Sequence, residues 1–274
     1  IITNTVVLTE IGSHARLTGT AGAVSVSAES SDKLIDVLAA ASAAGGGTSV
    51  AGTLGVLIAL NQTTAQVDAD AVLSAAQDVG GRAAGKTWMF VLAMALSGGS
   101  QNAVGATISV NILERTIQAL VGASASLTST NGNVLVQATG ENWALMLTLA
   151  MGAAGSNALS GTIPVLVGLD TVRSELGQSS SLTAGGSAGV IADLKNHTYV
   201  ITGRLAAAGS NAVGAAISTV VYLNTVESIV GQSAAILSGG AGGGIAVPNR
   251  EARRRGVIIS ATASEDMVLV SVSA

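Results

Sequence analysis

One short motif returns at an almost constant interval and limits what this chain can fold into. Ser-Asn-Ala stands at 156–158 and 210–212, with Gln-Asn-Ala at 101–103, so Asn102, Asn157 and Asn211 recur in one phase. The period is about 54 residues, in the range of stacked repeat architectures. Around the three asparagines run the related strings Gly99–Ile108, Gly155–Ile163 and Gly209–Ile217, and a weaker copy at Thr48–Leu54 lies one interval earlier. Thr116, Thr171 and Thr225 keep the same phase, as do Leu127, Leu182 and Ile236. Trp88 and Trp143 each stand the same distance before the repeat Asn, and His197 takes that place in the next copy. The copies fall at roughly 1–47, 48–101, 102–156, 157–210 and 211–274. Units of this kind cannot each bury a core of their own, so they stack.

Within a copy the pattern is mostly of period two. Ala23–Ala28, Asn133–Ala138 and Val268–Val272 alternate apolar with polar residues and are rich in valine, which marks strands. Gly45–Gly47, Gly185-Gly186 and the glycines of 239–244 read as corners. With 35 glycines and only five aromatic residues, the side chains suit thin layers better than a wide core. The expected fold is therefore all-β, a parallel β-helix in one segment over 1–274, reading as a piece of a longer chain. Ser31–Ala44 is the exception, since Asp32, Leu34, Ile35 and Leu38 predict a short capped helix over 32–44. The repeat exceeds an ordinary solenoid coil, so each copy is expected to divide into three coils of about 18 residues. About 15 coils at about 4.8 Å would make a rod about 70 Å long. Asn102, Asn157 and Asn211 would then recur every third rung, out of mutual contact.

Composition narrows the chemistry. Twelve Lys and Arg against sixteen Asp and Glu argue against nucleic-acid binding, and the absence of Cys removes disulfides and thiolate sites. Gly80–Thr87 ends in Gly-Lys-Thr like a phosphate-binding loop, but a strand pattern follows it, so a solvated turn is expected. Asp68 and Asp70 read as a solvated edge, and His14 and His197 lack nucleophile partners. No metal site, cofactor or catalytic group is expected. The charge-free windows Val37–Val67, Thr87–Leu113, Asn142–Leu169 and Leu205–Val226 are long enough to cross a bilayer as helices. No Trp/Tyr belt or Lys/Arg flank bounds any of them along the chain, so no membrane insertion is expected.

The string Gly209–Val226, followed by Ile229-Val230-Gly231 and Ala234, resembles the repeat region of large bacterial filamentous adhesins, the leukotoxin-type and filamentous-haemagglutinin-like surface proteins. The copy at 99–138, ending Gly132–Ala138, is similar to their Gly-x-Val-x-Val-x-Ala strand. The resemblance implies a parallel β-helix in a long polypeptide, secreted or displayed on the bacterial cell surface, with no catalytic site to carry over. The expected function is a structural and adhesive rod that spaces binding regions or attaches to a host-cell surface or glycan. The alternative is a self-assembling extracellular fibre subunit stacking end to end. A polysaccharide-active enzyme and a membrane-embedded repeat protein are the remaining rivals. Arg250, Arg253, Arg254 and Arg255 interrupt the repeat in the one charge cluster, where guanidinium forks suit carboxylate or sulfate groups.

Overall fold

The computed structural model describes residues 1–248 and 252–274, and they form a parallel β-solenoid. The first coil holds β1 (Ile2–Ile11), β2 (Arg16–Gly19) and β3 (Val24–Ala44). The second holds β4 (Thr48–Val67), β5 (Val72–Ala75) and β6 (Val79–Gly99). The third holds β7 (Asn102–Val121), β8 (Ser126–Ser129) and β9 (Val134–Ala154). The fourth holds β10 (Asn157–Leu176), β11 (Ser181–Ala184) and β12 (Ala188–Ala208). The fifth holds β13 (Asn211–Ala216), β14 (Thr219–Val230), β15 (Ala235–Ser238) and β16 (Val257–Ser273). Equivalent strands pair in parallel, which builds two broad sheets and one narrow sheet of four-residue strands.

Each sequence repeat is thus one coil rather than three. Asn157 pairs in register with both Asn102 and Asn211, so one sequence interval is a single rung. Five rungs at about 4.8 Å reach only about 24 Å along the stack, while walls as long as β7 span about 66 Å. The molecule is a broad, flat blade, not a slender rod. The proposed helix at 32–44 is also corrected. That stretch is the second half of β3, paired residue for residue with β6. Its side chains alternate, with Leu34 and Asp36 inward and Ile35 and Val37 outward, a period that a helix cannot satisfy.

Two apolar clusters fill the blade. One lies against the narrow sheet and includes Val26, Leu73, Leu127, Val136, Leu176 and Leu182. The other lies farther along the broad walls, around Leu57, Met89, Leu113, Met146 and Leu166. Between them runs a polar layer. On one broad sheet Thr5, Asn61, Arg115, Asp170 and Asn224 stand in register, one per coil. Opposite them the other sheet sets Asp32, Thr87, Asn142, Asn196 and Glu265. Alternation alone would tolerate a slip of two residues, which keeps every side chain on its face. The polar layer opposes that slip, because it would set a buried guanidinium against apolar neighbours.

The corner before each narrow strand repeats one backbone device. His14, Asp70, Ser124, Ser179 and Ser233 all adopt positive φ, between 57° and 61°. Just before Ser179, Gly177 sits where a Cβ would come 2.7 Å from the backbone of Gly122 in the coil below. Short polar residues tolerate the left-handed turn, and glycine permits the close stacking.

Candidate binding surfaces

Stacking turns scattered residues into continuous rows. Lys33, Trp88, Trp143, His197 and Asp266 share one outward row on a broad sheet. The Lys33 ammonium lies 5.1 Å from the Trp88 ring centroid. Trp88 and Trp143 stack at 5.4 Å, Trp143 and Tyr199 meet at 5.9 Å, and His197 Nδ1 is 3.0 Å from the Asp266 carboxylate. One row farther toward the narrow sheet, Lys86 and Lys195 flank Glu141, with Lys86 Nζ 3.3 Å from its carboxylate.

At the opposite rim the repeat asparagines form a ladder. Asn211 donates to Asn157 and Asn157 to Asn102, each at 2.9 Å, and Asn102 donates to Thr48 Oγ1 at 3.1 Å. The expectation that these residues stand apart fails because one repeat is one rung. Side-chain amides both donate and accept, so identical residues in register satisfy one another.

Inside the blade, Arg115 grips Asp170 with two parallel bonds of 2.7 Å from Nε and Nη2. Nη2 also reaches Asn196 Oδ1 at 2.9 Å, Nη1 donates to the Glu141 carbonyl at 3.0 Å, and Asn196 donates to Asp170 at 3.0 Å. In the same layer the Tyr222 hydroxyl lies 2.6 Å from Thr198 Oγ1 and accepts from Asn142 at 3.2 Å. Burial lifts the Tyr222 phenol above its ordinary ionisation range. These groups are enclosed between the walls, so they hold the fold and offer nothing to a ligand.

The arginine cluster divides. Arg250 lies outside the described residues. Arg253 is committed to its own loop, donating from Nε and Nη2 to the Gly243 and Gly244 carbonyls at 2.7–3.2 Å. Arg254 joins Ile245 through a two-way antiparallel backbone bridge, and its side chain and that of Arg255 face solvent. This loop lies over the outer face of the broad sheet and buries Ile245 near Gly189 and Leu135. Between loop and sheet is an open groove of about 400 Å³, with Arg82, Gln137, Asn133, Asp78 and Arg253 among its polar lining and Leu135 and Ile245 among its apolar lining. Asp78 Oδ1 accepts the Asn133 backbone N–H at 2.7 Å, and Asn133 Oδ1 in turn accepts from the Ser187 N–H at 2.8 Å, so both brace the corner. Arg82 was invisible as a partner of the arginine loop, because it belongs to the second copy and Arg253 to the fifth. Only the period-wise stacking joins them.

Other candidates resolve into structure. Gly80–Thr87 is strand, not a turn. A Cβ at Gly80 would come 2.3 Å from the Leu135 carbonyl oxygen, so its glycine serves strand packing rather than a phosphate. Asp68 and Asp70 lie in the turn after β4. Hydrogen bonding and charge repulsion with Asp68 hold the exposed Glu10 carboxyl above the usual carboxylate range. No cluster of three or more His, Asp or Glu with metal-holding geometry occurs among the described residues. Compared with protein-family models, curated proteins and solved structures, the chain matches none.

Proposed function

We propose that the chain is a structural and adhesive segment of a bacterial surface or secreted filamentous protein, without enzymatic activity. The observation that carries this reading is the rung-by-rung stacking of the repeat, which displays the same outward positions in every coil. Such a scaffold extends by adding coils and presents surface in proportion to its length. The likeness of Gly209–Val226 to filamentous adhesin repeats supports the same reading. Attachment is assigned to the groove under the arginine loop, which Arg82 and Arg253 line, with Arg254 and Arg255 facing solvent next along the chain; such guanidinium groups suit acidic glycans.

The test is binding of bead-coupled protein to arrayed sulfated, sialylated and neutral glycans. The acidic glycans should bind, and R82A with R254A and R255A should weaken them at least about tenfold, the loss of one charge-assisted contact or more. Equal binding of neutral and acidic glycans, or none, sinks the attachment role. A second reading, end-to-end fibre assembly, rests on the same parallel in-register stacking, which a further copy can extend. Continuous filaments of purified protein in electron micrographs would favour it.

A further inference from the structure

Over half its width, around and beyond the second apolar cluster, the blade is apolar on its outside as well as inside. Beyond the tryptophan row, buried positions include Asp36, Thr107, Ser109, Asn111, Ser160 and Thr162. The outward positions beside them are larger and apolar: Phe90, Leu92, Met94 and Leu96 on one broad sheet, Leu159 and Ile163 on the other. Leu54 is 70 % exposed and Val37 58 %. Among the described residues, no outward position of either sheet in this band is charged, and Asp36 and Arg204 there point inward. A protein that meets water on both faces places its residues the other way round.

The band has two sharp borders. On one side stand Trp88, Trp143 and Tyr199, backed by Lys86, Glu141 and Lys195, with Glu114 at the same level of the opposite sheet. On the other side are turns made of Gly, Ala, Ser, Gln and Asn without a charge, topped by the asparagine ladder. From Trp143 to Ala153, and from Leu159 to Leu169, is about 33 Å of strand. The hydrocarbon core of a bilayer is about 30 Å thick, and amphipathic aromatic rings collect at its boundary.

We propose that this half-blade inserts into a phospholipid bilayer, with the tryptophan row at one interface and the asparagine rim at the other. A second copy of the chain would cover one face, whereas the apolar surface runs over both faces and meets at an uncharged rim, as an environment surrounding the blade requires. The aromatic belt missing from each linear window is built by stacking, from Trp88 of the second coil, Trp143 of the third and Tyr199 of the fourth. In hydrocarbon every backbone group needs a partner, and β7 and β9 of the third coil have a paired strand on both sides along their whole length. The proposal concerns the half of the blade away from the arginine groove and does not depend on glycan binding.

The experiment is flotation of the whole chain with protein-free phosphatidylcholine vesicles, with tryptophan quenching by lipids brominated at shallow or deep acyl positions. The chain should float, with stronger quenching by the shallow bromines. Leu147→Glu with Ile163→Glu, both on outward positions, should cut vesicle binding at least about tenfold, whereas Thr171→Glu in the polar half should not. Three results overturn the proposal: wild-type protein that stays with the aqueous fraction, flotation unaffected by the paired glutamates, or vesicle-independent self-association that those glutamates abolish. The last would make the band an interface between copies.

Discussion

The indole rings of Trp88 and Trp143, one repeat apart in sequence, lie face to face with parallel planes and centroids 5.4 Å apart. They stack because their strands pair in register and their side chains leave the same face of the sheet. Coupled indoles at this distance produce a paired circular-dichroism band near the far-ultraviolet tryptophan transition. Trp88→Phe and Trp143→Phe should each abolish that band completely while the β-sheet signal persists. A band that merely halves would show that the rings do not form a pair.

The asparagine ladder predicts unequal costs along the stack. Asn157 both donates and accepts, whereas Asn211 only donates. Asn157→Ala should destabilise by about 1 kcal/mol and Asn211→Ala by roughly half that, since exposed hydrogen bonds contribute modestly. Urea midpoints for the two variants test this order.

Asp170→Ala should be the most damaging single polar substitution, at about 3–5 kcal/mol, because it strands the buried Arg115 guanidinium. Arg115→Met combined with Asp170→Leu should recover most of that loss in the same unfolding assay. A double variant as unstable as the single one would contradict the assignment of the loss to an unpaired charge.

Tyr222 makes stability fall in strong base. Its ring lies over Gly168, where an added Cβ would meet Cε1 at 2.2 Å, and burial is the main cause of its raised pKa. In the unfolded chain a tyrosine ionises near pH 10, while the folded phenol keeps its proton to higher pH. The unfolded state thus binds fewer protons in that interval. Stability is full below about pH 10 and is lost as the pH rises through the folded value. Tyr222→Phe should flatten this fall and cost about 1–2 kcal/mol at neutral pH through the hydroxyl's lost partners. Gly168→Ala should destabilise through the ring contact by about 1–3 kcal/mol.

The all-β class and the repeat were legible in the sequence because strand alternation and the recurring Asn, Thr and Trp positions are local patterns. The coil size was not. Glycine in a sequence reads as a corner residue, yet Gly80 and Gly85 lie within β6 where a Cβ would strike Leu135 or Ile117. With false corners removed, the unbroken alternation of 79–99 and 102–121 marks two long walls. The spacing of Asp32, Leu34, Ile35 and Leu38 suits a capped helix, although the outward Ile35 and Val37 follow strand phase. Arg115 with Asp170, and Arg82 with Arg253, have no local signature. Their partners lie one or more coils away, and pairing them requires the rung spacing first.

That spacing is measured most directly between spin labels on Thr48→Cys and Asn211→Cys, which are unique sites because the chain has no native cysteine. The two positions lie three rungs apart through Asn102 and Asn157. One coil per repeat places their backbones about 14 Å apart, whereas three coils per repeat would place them about 43 Å apart. A pulsed electron-resonance distance distribution centred at about 15–20 Å, allowing for the label arms, is the predicted result for such a rung spacing. A maximum beyond about 35 Å would contradict the stacking of one repeat per coil.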